Sequence, residues 1–402
     1  MKKYNQLILV IISVASVTLL LIYRHEYNRL RYVLEVFDFF GQPNECSFPE
    51  FLNNTSITQH DWGPIPVWTK LEDSYVYSAF LKTENDVEAL IIHDDNKIAI
   101  QTCYLWFENN SKATIGKIKF TKIDSLNSND NLALYKYYCH LNSVAEIPYA
   151  VSFVSKNRQT KDFKKIVLYP TNKKKHDLTT VCVLPNVAFS KANIVEFISY
   201  HKIIGVDSFI IYNNNMPHKF MHLLQGLSTK LGVEMISYPW NYPYSLTGET
   251  RKIIEEDCIL RTRGISKNIA ILDWTEFIVP KYHRSVPSML NQYDAKDRTQ
   301  RFTLKSLVFC TNNHDRREPA VLQSLYYDET KTPDSLSIYR SNSLDNDVII
   351  NTQEINTAVA AIHRYIPCTT HPAHSKREDA MSRFSADLRK STLFKLYKYD
   401  RL

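Results

Sequence analysis

Apolar positions along the chain follow three rhythms. The first is an unbroken run: residues 7–22 are almost wholly apolar, and no charge falls between Tyr4 and Tyr23. Twenty helical residues rising about 1.5 Å each span about 30 Å, the thickness of a bilayer's hydrocarbon core. The second rhythm is short alternation from Pro64 to about Ser155. Residues 74–81, 87–92, 97–106 and 113–120 read as strands separated by Asn, Asp and Lys turns. The third is a strand-helix-strand succession. Residues 179–184 form a compact apolar strand closed by Pro185 and Asn186. A helix follows, with Asn193 as N-cap and Glu196 completing a capping box. Ile194, Phe197, Ile198 and His201 share one face at helical spacing, and Gly205 can end the helix. A strand at 208–212, a helix at 220–231 before Gly232, a strand at 233–237, a helix at 249–263 before Gly264 and a strand at 269–272 continue the pattern. Three such units predict a parallel sheet with right-handed crossovers. Beyond Pro280, residues 302–310 and 348–350 read as strands, and 354–364 opens as a helical turn.

These rhythms divide the 402 residues into a tail (1–6), a transmembrane signal anchor (7–23), a stem (24–61), a β-rich domain (62–165) and an α/β domain (176–390). The apolar run lacks an A-x-A exit, which favours an uncleaved anchor over a cleaved signal peptide. Lys2 and Lys3 before the run and Arg24, Arg29 and Arg31 after it do not settle orientation. Overlapping sequons at Asn53 and Asn54 and a third at Asn109 are candidate glycosylation sites. Seven cysteines carry no CxxC or metal-ligand spacing. They supply either reduced, buried thiols or up to three disulfides and one free thiol, with Cys103 and Cys139 a candidate staple. Anchor, sequons and scattered cysteines together predict a type II protein whose bulk faces the secretory lumen.

Composition removes several alternatives. A formal charge of +7 is modest for this length, and the run at 173–175 is a short linker feature, so no nucleic-acid partner is expected. Only 8 glycines are present, and neither GxGxxG nor GxxxxGK[ST] occurs. Kinase, P-loop and dinucleotide-binding readings thereby lose their main support.

Chemistry concentrates at the end of the 269–272 strand, in Asp273-Trp274-Thr275-Glu276-Phe277. Open α/β sheets bind ligands where their strands stop, and carboxylates there can hold a divalent cation that in turn binds a diphosphate. Solvation, or pairing with a nearby lysine, is the plainer role for Asp273 and Glu276. The same edge would collect Asn186, Asn213, Asn214, Asn215 and residues 238–240, including Trp240. Amides, aromatic faces and carboxylates suit a nucleotide-sugar, although the asparagines also suit a turn and Trp240 a core position. His201 reads as a packing residue. His363, His371 and His374 are late candidates for a metal site, and Asp315 and Glu318 are candidate bases.

Several stretches resemble glycosyltransferase family 92. They are Val181 through Pro185, Val195 through Tyr212, Asp257-Cys258 near a helix end, and Asp273 through Pro280. The likeness spans about 181–363. It implies a GT-A-type fold, Golgi residence and inverting transfer of a hexose, galactose in characterised relatives, from a UDP-sugar to a glycan on a glycoprotein or glycolipid. It also implies Mn2+ or another divalent cation. On this reading Asn186, Asn213, Asn214, Trp240 and Asp273 contact donor, and Asp273, Glu276 and His363 are the metal candidates. The family pattern Asp-x-Asp-Glu-Phe is interrupted here by Thr275. A neutral hydroxyl brings no charge against a divalent ion. Three outcomes follow: Glu276 takes over, cationic side chains replace the metal, or catalysis is lost and a glycan-binding or regulatory membrane protein remains.

Overall fold

The computed structural model describes Ser16, Thr18 and Leu19 and, from Trp68 to Tyr399, all residues except 72–73, 97–99, 109, 128–130, 143–145, 155–162, 170–176, 186–189, 215, 245–249, 295–297, 312–317, 332–334, 341–350 and 369–374. Apart from the first three residues, which are helical, the expected anchor and stem lie outside the described residues. So do Asn53, Asn54, Asn109, Asn186, Asn215, Asp315, His371, His374 and the strand expected at 348–350. Among the described residues no helix is long and apolar enough to cross a membrane. One compact unit holds Val67–Gln159 with Lys164–Leu402.

The alternating segments form an antiparallel sheet. Its strands are β1 (Thr69–Leu71), β2 (Ser74–Thr83), β3 (Asp86–Asp94), β4 (Thr102–Phe107), β5 (Asn110–Asn127), β6 (Leu132–His140), β7 (Ala150–Val154) and β8 (Ile166–Val167), in the order β1-β2-β3-β6-β5-β4-β7-β8. Successive side chains of β3 go to opposite faces, as the period of a strand requires. Ala89 and Ile91 join a core of Val76, Cys103, Tyr137 and Phe153. Leu90 and Ile92 join a second core that includes Trp240, Ile253, Ile254 and Ile271. The expected Cys103–Cys139 staple is present and bridges β4 and β6 across the intervening β5. Gly116 of β5 lies beneath it. A Cβ there would stand 2.4 Å from Cys139 Sγ and 2.9 Å from Cys103 Sγ, so the bridge leaves room only for glycine.

The strand-helix-strand succession folds as expected. It comprises β9 (Leu178–Val183), α1 (Lys191–Ile203), β10 (Ser208–Asn213), α2 (His218–Leu231), β11 (Glu234–Pro239), α3 (Thr250–Thr262) and β12 (Ser266–Leu272). Helix α2 ends at Gly232, whose φ of 64° is left-handed and whose N–H returns to the Ser228 and Thr229 carbonyls. The N-terminus of α1 differs from expectation: Ser190, not Asn193, is the cap, and its side chain accepts from the Asn193 N–H. Glu196 therefore makes no capping box. It is buried and accepts the Ala320 and Val321 N–H groups of a distant short helix. Burial pushes its carboxyl up to about 7, against the lowering effect of those two bonds.

Strand β13 (Glu276–Pro280) follows β12 after three residues and starts a different sheet. The remaining strands are β14 (Arg301–Leu304), β15 (Ser306–Cys310), β16 (Tyr326–Asp328), β17 (Leu336–Arg340), β18 (Thr352–Ile355), β19 (Ala360–Ile366) and β20 (Ser375–Arg377). The larger sheet runs β11-β10-β9-β12-β17-β14-β18 and the smaller one β13-β19-β15-β16-β20. Two expectations are corrected here. Residues 302–310 are not one strand but two, in different sheets, parted at Lys305. Residues 354–364 contain no helix. Strand β19 pairs with β13 and with β15, and ladder bonds on both sides override any local helical preference. Cys310–Cys368 and Cys182–Cys258 complete three disulfides among the described residues.

Candidate functional site

Strands β11, β10, β9 and β12 are mutually parallel, and the chain reverses its direction of travel across the sheet between β9 and β12. That is the topological switch point, where the loops leaving two adjacent strands diverge and leave a crevice. Here the Leu184 N–H donates to the Leu272 carbonyl (2.9 Å), so β9 and β12 stay joined to their last residues. The chain then turns sharply. The Glu276 N–H donates to the Asp273 carbonyl (2.9 Å), closing a turn over Trp274 and Thr275. Trp274 is buried, 5.2 Å centroid to centroid and edge-on to Phe197, and pins the turn to the core. Thr275 donates from both its N–H (3.1 Å) and its hydroxyl (3.0 Å) to Asp273 Oδ1. Asp273 Oδ2 has no partner among the described residues.

Glu276 is the most heavily engaged carboxylate at this edge. Its side chain is only 3% exposed, and Arg251, at the start of α3, places one guanidinium nitrogen 2.9 Å from Oε1 and 2.6 Å from Oε2. The other terminal nitrogen of Arg251 donates to the Ile271 carbonyl (3.2 Å), and the Asp273 N–H donates to Glu276 Oε2 (2.8 Å). Arg364 of β19 stands opposite Glu276 in the ladder, its Nε 4.0 Å from Oε1.

Residues 177–376 match the family model described as Glycosyltransferase family 92. They form a glycosyltransferase family 92 domain. It runs from β9 to β20 and carries the whole switch-point edge. Comparison with curated proteins finds no match. Among solved structures, a Bacillus anthracis protein assigned as a glucose-1-phosphate thymidylyltransferase, in complex with a sucrose, is similar at 8% identity. The match covers 54% of this chain and 99% of that one with a TM-score of 0.29, and at that score it carries no argument.

Within the family 92 domain the expected site residues scatter. Asp273 and Glu276 share the β12 edge. Asn213 closes a turn, its Oδ1 accepting the Met216 N–H (2.9 Å), with Asn214 half-buried next to it. Trp240 follows β11 at the edge, its N–H donating to the Asn213 carbonyl (2.8 Å), but its ring turns into the core. It is fully buried, edge-on to Trp68 (5.4 Å) and Tyr77 (5.0 Å) and stacked on Tyr242 (5.6 Å), so no ring face is open to a base. Glu318 lies at the surface with Arg389 on its carboxylate (2.8 Å). His201 packs in the core as expected, donating from Nδ1 to the Phe197 carbonyl (2.9 Å), and burial pushes its pKa down to about 3.

His363 cannot join Glu276 at one ion. In the β13–β19 ladder Glu276 faces Arg364, whereas His363 faces Phe277, and adjacent residues of a strand point to opposite faces. The His363 ring stacks on Phe309 at 4.5 Å. Burial pushes its pKa down to about 3, with Lys281 adding to the effect. The donor set therefore does not fit a divalent cation held by Asp273, Glu276 and His363. Glu276 has both oxygens occupied, Asp273 offers one, and His363 lies on the far face. Among the described residues no group of three His, Cys, Asp or Glu side chains gathers to hold a metal ion.

Sequence reasoning missed Arg251 and Arg364. Arg251 sits 25 residues before its partner in a helix rich in charge, and Arg364 is placed by a register that the sequence does not display.

Proposed function

We propose that this chain is a GT-A-type glycosyltransferase that moves a hexose, galactose in our reading, from a UDP-sugar to a glycan hydroxyl with inversion. The observation that carries it is the family 92 match over the residues that build the switch-point crevice and Asp273. Asp273 Oδ2 accepts a ribose hydroxyl of the donor. The acceptor oxygen forms a bond to the anomeric carbon from the face opposite the nucleotide. The bond to the β-phosphate oxygen breaks, UDP leaves with the electron pair, and the acceptor proton passes to a carboxylate. The acceptor is a glycan on a glycoprotein or glycolipid.

Golgi residence as a type II protein, anchored through residues 7–23, belongs to the same reading. The apolar run supports it, as do three disulfides, which persist in the oxidising secretory compartments and are rare in the cytosol.

Asp273→Asn tests the donor contact. Losing a charge-assisted hydrogen bond to a hydroxyl raises KM for the UDP-sugar about 10- to 100-fold while the melting temperature stays put. An unchanged KM removes Asp273 from the site.

A further inference from the structure

We propose that the diphosphate of the donor is held by the guanidinium groups of Arg251 and Arg364, without a divalent cation; this rests on the nucleotide-sugar reading above. Four observations lead there. First, Glu276 is already neutralised: Arg251 takes both oxygens and the Asp273 amide a further lone pair, so a metal would have to expel a guanidinium from a 3% exposed carboxylate. Breaking such a pair leaves an uncompensated buried charge. Second, Thr275 spends its hydroxyl on Asp273 Oδ1. The position where the family carries a second Asp therefore brings no negative charge, and the proton of its neutral hydroxyl is spent on Asp273.

Third, the two guanidiniums retain donors. Arg251 uses one terminal nitrogen on Glu276 and one bond of the other on Ile271, which leaves its Nε–H and one further N–H open among the described residues. The Arg364 guanidinium makes no hydrogen bond among the described residues, and at 4.0 Å its Nε is an electrostatic neighbour of Glu276 rather than a bonded one. Its side chain is 45% exposed. Both cations address the same Oε1, so they stand close enough for adjacent phosphates of one diphosphate. Fourth, Arg251 lies in the first turn of a 13-residue helix at the switch point, where the helix dipole favours an anion.

In this arrangement Glu276 is a positioning residue. It holds Arg251 in one rotamer against the end of β12, so that a planar fork rather than a mobile cation meets the phosphate. Two guanidiniums supply the double positive charge that a divalent ion brings elsewhere. They also hold UDP as its negative charge grows on leaving.

The test is calorimetric titration of UDP into the folded full-length protein, in EDTA and then in manganese. The expected result is binding in EDTA that manganese strengthens less than about threefold. Arg364→Gln, at an exposed position, weakens it about tenfold, the loss of one charge-assisted contact. Arg251→Gln combined with Glu276→Gln keeps the buried pair neutral and hydrogen-bonded, so the fold survives while binding falls further. Binding that requires manganese and ignores Arg364→Gln overturns the proposal and leaves the nucleotide-sugar reading standing. No binding of UDP by folded protein in either condition overturns both.

Discussion

Asp257→Ala lowers the stability of the fold by about 3–5 kcal/mol, the usual cost of stripping one partner from a buried ion pair. Asp257 lies on α3 with no exposed surface, and its carboxylate accepts four hydrogen bonds. Ser78 of β2 (2.5 Å) and an Arg261 terminal nitrogen (3.3 Å) reach Oδ1; the Tyr212 hydroxyl of β10 (2.5 Å) and Arg261 Nε (2.6 Å) reach Oδ2. One carboxylate thus ties the antiparallel sheet, the helix and the parallel sheet together. Arg261 is itself sandwiched, 4.2 Å from the Tyr169 ring and 3.9 Å from that of Tyr238. Without Asp257 its charge remains buried with no counter-ion. A double variant, Asp257→Leu with Arg261→Met, removes both charges and costs much less than the single change. Guanidinium denaturation of the two variants side by side measures the difference. Equal losses would mean that shape, not charge, fixes this junction.

The second large effect comes from Cys182–Cys258. This bridge joins β9 to α3 and closes a loop of 76 residues that contains α1, β10, α2 and β11. By the chain-entropy argument a loop of that length stabilises by about 4–5 kcal/mol, more than the 36-residue Cys103–Cys139 or the 58-residue Cys310–Cys368 loop. Replacing both cysteines by serine produces the largest drop in melting temperature of the three double variants. Because Arg251 is carried by α3, the same change loosens its hold on Glu276, so UDP affinity falls along with stability. A melting temperature within a degree or two of the parent would show that packing of Ile253, Ile254 and Leu260 suffices to hold α3 in place.

The α/β order was legible because its signals are local. Short apolar runs form β9 to β12, helical spacing forms α1 to α3, and Gly205, Gly232 and Gly264 all take positive φ where the helices are expected to stop. The carboxylates Asp273 and Glu276 likewise stand at a strand end that short-range pattern defines. What failed depends on long-range register and layering. His363 lies one residue from the position opposite Glu276, and one residue reverses the face. Trp240 suits an edge or a core position by sequence, and the layering decides for the core: the Trp68 indole N–H donates to its carbonyl (2.6 Å) and the antiparallel sheet covers it. Glu196 sits three residues after Asn193 as a capping box demands, yet its partners are 124 and 125 residues away. Ser190, three residues before Asn193, is the cap instead.

The metal question turns on a similar distinction. From the sequence, Thr275 for Asp leaves Glu276 as the natural substitute ligand, since a longer carboxylate can reach. In the folded chain that carboxylate already has a cation, supplied by the helix that packs across the strand end. The substitution and the arginine belong to one account: charge that a metal would bring to the edge is brought by side chains instead.

The most direct test of the central claim is transfer itself. Full-length protein is incubated with a panel of UDP-hexoses and a panel of glycan acceptors, and products are read by mass spectrometry. The account predicts acceptor-dependent gain of one hexose from one of the donors, UDP-galactose first, with matching release of UDP. Folded protein that binds UDP yet transfers nothing from any donor would contradict it and assign the chain as a binding protein on a transferase fold.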